Sequence, residues 1–190
     1  MFNLKDAATE KPKSNYQQPG IHENEVISAV NLGKASTGSV YLQFETTGIN
    51  GEKGKSPQMF LNGAGETPVD GKVTAWSITA RNLKKYLSST NNVSLEEATD
   101  MINGVATVEQ LQAKVSALLV GKKFRAKYKG VQTSKGFTIA ELCDSESMRV
   151  PAEESSLKYD ATKDFVPYKG TLQVAQPTMT ASAGSDDLPF

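Results

Sequence analysis

The chain has a single cysteine, Cys143, so no disulfide can form within it. That suits a reducing compartment, and a cytoplasmic location is expected. It also has a single histidine, His22. Metal centres need several converging ligands, and only Glu23 and Glu25 stand beside His22, so no metal or other cofactor is expected. Cys143 has no histidine close in sequence and reads as a packed thiol rather than a nucleophile. No stretch approaches the roughly 20 apolar residues of a membrane span. Residues 1–10 hold no apolar run of the kind a signal peptide needs. No membrane partner is expected. A phosphate-cradling P-loop is missing, because Gly63-Ala64-Gly65 leads into Glu66 and not into Lys-Ser/Thr. Together these absences argue against an enzyme.

Net charge is missing too: 21 basic residues balance 21 acidic ones. Zero net charge argues at first against a nucleic-acid partner, but it conceals a segregation. From Gly121 to Gly136 the charged residues are Lys122, Lys123, Arg125, Lys127, Lys129 and Lys135, a run of +6. From Ala140 to Phe165 seven acids face three bases, a run of −4. A local field follows from local arrangement, not from the sum.

Hydrophobic residues make up 38% of the 190, which leaves room for one core with loose additions. Residues 1–20 are polar and read as an arm. From Ile21 strand patterns begin. Val26, Ser28, Val30 and Leu32 alternate as a first strand. Val40, Leu42 and Phe44 share one face of a second, with Tyr41, Gln43 and Glu45 on the other. Asn50-Gly51 predicts a hairpin turn with both residues at positive φ, and a third strand follows at about Gln58–Asn62.

The middle is helical. Trp76, Ala80, Leu83 and Leu87 recur at helical spacing. Ser94 with Glu97, and Thr107 with Gln110, form capping-box patterns for two more helices. Strand character returns after Gly121. Phe124, Ala126 and Tyr128 share one face, while Lys123, Arg125, Lys127 and Lys129 share the opposite one. A fifth strand spans Phe137–Leu142. Residues 151–174 read as a partly docked extension, and 175–185 as a linker too poor in apolar residues to fold alone.

Three strands, a helical insert (about residues 73–119) and two strands is the order of an OB-fold barrel, here spanning residues 21–150. The expected fold is thus mainly β, a β-barrel with a helical insert between strands 3 and 4. OB barrels bind along the strand 2–3 face and the 1–2 and 4–5 loops. The cations placed there are Lys34, Lys53, Lys55, Lys123, Arg125, Lys127, Lys129 and Lys135, and the candidate stacking aromatics are Tyr41, Phe60 and Phe137. Trp76 reads as core.

The sequence closes on Asp186, Asp187, Leu188, Pro189 and Phe190. It resembles the acidic tip of bacterial-type single-stranded DNA-binding proteins. Residues 20–60 resemble OB-like single-stranded DNA-binding proteins encoded by bacteriophages, through Gly20-Ile21-His22, Leu32-Gly33-Lys34 and Gly38 to Glu45. The resemblance implies a sequence-nonspecific coat for single strands in phage replication, recombination and repair, in a bacterial cytoplasm. It implies partner proteins of those pathways recruited through Asp186–Phe190, and leaves a homo-oligomer open. Two other readings stay open: an OB adaptor that binds protein, and an RNA-binding OB module. Opposite charge also leads us to expect the tip to occupy the +6 strand when DNA is absent.

Overall fold

The computed structural model describes residues 15–63 and 74–171. Most of the expected arm, the first residue of the helical insert, the linker and the tip Asp186–Phe190 lie outside the described residues. The chain is mainly β. Its elements are β1 (Gly20–Lys34), β2 (Val40–Thr47), β3 (Lys53–Lys55), β4 (Met59–Phe60), α1 (Ala75–Asn91), α2 (Leu95–Asp100), α3 (Val108–Leu119), β5 (Lys123–Gln132), β6 (Thr138–Glu146) and β7 (Phe165–Val166).

β1 is long enough to serve two neighbours. Its first half pairs antiparallel with β5 and its second half with β2. β2 pairs with β3, β3 runs parallel to β6 at Lys55 and Glu141, and β6 pairs with β5. The path β1–β2–β3–β6–β5 therefore returns to β1, a closed ring of five strands. β4 pairs with β2, and β7 lies parallel on the end of β5.

Three local expectations need correction. β1 does not alternate evenly from Val26 to Leu32. Bulges between His22 and Glu25 and between Ile27 and Ala29 each shift the register. The buried set becomes Glu25, Ile27 and Val30, and Ser28 is exposed. The third strand is not one piece at Gln58–Asn62. It is β3 and β4, parted around Pro57, which has no N–H to give a ladder. Ser56 bridges the gap: its N–H donates to Phe44 O (3.0 Å), and its hydroxyl accepts from Phe44 N–H (2.9 Å). In the β2–β3 turn only Gly51 takes positive φ (87°). Its N–H donates to Gly48 O, so Asn50 sits in an ordinary turn followed by a glycine bulge.

The helices follow their caps. Thr74 accepts from Ser77 N–H at the start of α1, and Asn92 at φ 55° ends it. Ser94 and Glu97 complete a capping box on α2. At α3 Thr107 accepts from Gln110 N–H, but the Gln110 side chain reaches Ala106 N–H and not Thr107. Leu83, Tyr86 and Leu87 of α1 and Leu111, Val115 and Leu119 of α3 join Ile27, Leu42, Phe44, Phe124, Tyr128 and Leu142 of the ring in one core.

A polar cluster sits among these buried groups. Glu25, 1% exposed, accepts from the Tyr128 hydroxyl (2.9 Å) and from the Gln17 amide. Tyr128 also shares a 2.6 Å hydrogen bond with Thr46. Gln17 is held by backbone bonds that lay residues 15–17 along β3. Gly54 makes room: a Cβ there would stand 2.6 Å from Thr46 Oγ1 and 2.8 Å from Tyr128 Cε1. Gly54→Ala should therefore lower the urea unfolding free energy by about 1–3 kcal/mol. An unchanged midpoint would mean the cluster has slack.

Candidate nucleic-acid interface

The +6 strand does not present a free basic face. Arg125 is 2% exposed. Its Nε donates to Glu23 (2.5 Å), one terminal nitrogen to Glu146 (2.6 Å) and the other to Val150 O (3.1 Å). Lys127 pairs with Asp164 at 2.7 Å, and Lys129 with Glu141 at 2.9 Å. The alternation was right: Phe124, Ala126 and Tyr128 are fully buried. What the +6 count missed is that the −4 segment supplies Glu141, Glu146 and Asp164 to the same surface. Arg125 thus sits as a buried structural cation, and Lys127 and Lys129 are each paired with an acid of the fold.

The pairings show in the titration of the acids. Burial opposes charge on Glu146, but hydrogen bonds from Ser155, Ser156 and Arg125 prevail and hold its carboxyl at about 2. Asp164 is likewise held below its usual value, chiefly by Lys127.

A belt of alternating charge crosses the ring. Glu45 stands opposite Lys55, Lys55 opposite Glu141, and Glu141 opposite Lys129. The Lys55–Glu45 pair is open (3.7 Å) with Lys55 63% exposed, so it holds that cation weakly. Lys53 and the β5–β6 turn, with Lys135 and Phe137, lie on one side of this belt along β3 and β6. Tyr41 and Phe60 lie on the other.

Tyr41 and Phe60 are brought together. They are direct partners across β2 and β4, with rings 5.8 Å apart at 69°. Tyr41 faces outward from its strand, opposite buried Leu42 and Phe44. Its partner on β1 is Gly33, and the tyrosine ring lies over that glycine: a Cβ there would be 2.5 Å from Cζ. Only a residue without a side chain lets the ring lie flat on β1. The next outward pair is Asn31 and Gln43. Lys34 ends β1 beside this platform and folds toward the 1–2 loop, its Cε 3.9 Å from where a Gly38 Cβ would stand. Phe137, 69% exposed, is presented to solvent but away from Tyr41. Among the described residues, Lys34, Lys123 and Lys135 make no ion pair, and Lys53 gives its ammonium only to the Thr47 hydroxyl (3.0 Å).

The stacking of Tyr41 on Gly33 and the pairing of Asn31 with Gln43 were not read from the sequence. The clue to Gly33 was a glycine placed two residues after Asn31 and opposite an outward tyrosine, which needs the strand register to see. Trp76 packs partly against the core. Cys143 donates weakly to Lys127 O (3.3 Å), and burial pushes its thiol up. His22 Nε2 lies 2.8 Å from Gln18 O, and its ring meets Tyr128 edge-on. Among the described residues no group of three or more His, Cys, Asp or Glu gathers as a metal site, and no helix is long and apolar enough to cross a membrane. No protein-family model matches the chain, and no curated protein matches it either.

Proposed function

We propose that the chain is a sequence-tolerant, non-enzymatic single-stranded DNA-binding protein built on an OB-type ring. The closed path β1–β2–β3–β6–β5, with β1 shared by two neighbours and parallel closure between β3 and β6, supports the OB assignment. The helices fall between the interrupted third strand and β5, where that architecture carries its helix. The observation that carries the reading is the Tyr41–Phe60 platform, outward-facing over Gly33 and beside Lys34. An outward aromatic ring gives each stacked base about 1–3 kcal/mol without regard to sequence. Such a protein would coat strands during phage replication, recombination or repair, and would recruit partners through Asp186–Phe190.

Lys34, Lys53, Lys55, Lys123 and Lys135 are the cations left to meet phosphates. If all five do, the log–log salt slope for oligo-dT should be near about −3.5, at roughly 0.7 per phosphate for single strands. Tyr41→Ala should weaken oligo-dT binding about 5- to 150-fold in fluorescence anisotropy. No binding at low salt would reject the reading. Neutralisation of β5 favours the rival, a protein-binding adaptor on the same ring, and that result would select it. Competition between dT and rU oligomers separates the RNA module.

A further inference from the structure

One cavity among the described residues lies away from the strand face. It lies between α1, α2, α3 and the α2–α3 connection, about 560 Å³ in volume. That falls in the range of about 300–1,000 Å³ that holds small ligands and peptide side chains. Trp76, Ile102, Val105, Val108 and Leu111 give it apolar walls, Lys84 supplies a cation, and among the described residues no acid lines it. Lys114 is tied to the lining residue Asn103, its ammonium donating to Asn103 O (3.1 Å). The nearby Asp100 carboxylate is turned to the Asn103 amide (3.0 Å).

We propose that this helical groove binds the chain's own segment Asp186-Asp187-Leu188-Pro189-Phe190. The segment has the complementary chemistry: Leu188 and Phe190 for the apolar walls, and Asp186 and Asp187 for Lys84 and Lys114. Pro189 lowers the entropy lost on docking. β5, the other basic surface, is already occupied by acids of the fold. Reach is no obstacle. The 14 residues 172–185 span up to about 48 Å when extended, against a radius of gyration of roughly 15 Å for a domain of this size. A tether of that length holds the segment at an effective concentration on the order of 1 mM, so a weak contact suffices. Partners of the segment then compete with the groove. None of this depends on DNA binding.

Trp76 is the only tryptophan and lines the groove, so its fluorescence reports occupancy. Deleting residues 186–190 from the full chain should shift Trp76 emission to the red. Phe190→Ala should do the same. A synthetic Asp-Asp-Leu-Pro-Phe peptide at about 1 mM, the tethered concentration, should reverse the shift. Lys84→Glu, on the helix surface, should weaken that peptide about tenfold or more. Identical emission from the full and shortened chains would overturn the proposal. So would a peptide response indifferent to Lys84→Glu. An emission difference that vanishes on dilution would assign the groove to the segment of a second copy, and would also overturn it.

Discussion

Arg125→Met should cost about 3–5 kcal/mol of unfolding free energy at pH 7, enough to unfold a marginal domain. The side chain is 2% exposed and gathers Glu23, Glu146 and Val150 O around one guanidinium. Removing it strands Glu146, whose side chain is only 11% exposed, without its cation. Glu23 is 43% exposed and water replaces its partner, so that half contributes little. Arg125→Lys should recover only part, because one ammonium cannot span three acceptors in a planar fork. Arg125→Met with Glu146→Met should cost less than Arg125→Met alone, since no buried charge is then left unpaired. Lys123→Met, exposed on the same face of β5, should stay within about 0.5 kcal/mol. Urea denaturation decides all four. A cost below about 1 kcal/mol for Arg125→Met would return Arg125 to the pool of cations free for phosphate.

The same site sets the acid limb of stability. Glu146 is held at about 2 in the fold, against an ordinary value of 4.5. A depressed acid stabilises the fold above its unfolded pKa. That contribution, about 3 kcal/mol, drains away as pH falls from 4.5 through about 2.

The ion pairs on β5 mark how far the sequence could be read. Period-two alternation located Phe124, Ala126 and Tyr128 in the core, because each strand residue's facing is a local property. Whether Arg125 meets phosphate or carboxylate is not local: Glu23 comes from β1, and Glu146 from the far side of a hairpin. The −4 run beside the +6 run was the available sign, since adjacent antiparallel strands of opposite charge neutralise each other. The helices were legible for a similar reason. Ser94 and Thr107 act within one turn, and capping shows in short windows; α1 showed in the helical spacing of Trp76, Ala80, Leu83 and Leu87. β1 was misread at Val26 to Leu32 because bulges answer to the needs of two partner strands. Tyr41 was singled out from its outward position. That it lies over Gly33 and beside Phe60 depended on register and on how Pro57 divides the third strand.

Glu25→Gln should stabilise the protein by about 3 kcal/mol at pH 8 and leave it nearly unchanged at pH 4. Burial, opposed by the Tyr128 hydrogen bond and reinforced by the charge of Glu52, raises the Glu25 carboxyl from 4.5 to about 7. An acid with a raised pKa favours the folded state in its protonated form. The fold is therefore unpenalised below about 4.5, loses stability as pH climbs, and carries the full cost above about 7. A shift of that size corresponds to about 3 kcal/mol at 1.36 kcal/mol per unit. Glutamine keeps the geometry without the charge. Its carbonyl can accept from the Gln17 amide, and its NH2 can donate to the Tyr128 oxygen while Tyr128 donates to Thr46. Glu25→Ala is the contrasting variant: it abandons the Gln17 and Tyr128 donors in a dry site and should destabilise at every pH. Two-state urea titrations at pH 4, 6 and 8 would separate these outcomes. If wild type and Glu25→Gln run parallel across that range, Glu25 ionises freely and the cluster admits water. With Glu146 failing below and Glu25 above, these two groups should place the stability maximum near pH 4.5, where one carboxylate keeps its charge and the other its proton, with about 2 kcal/mol lost by pH 6.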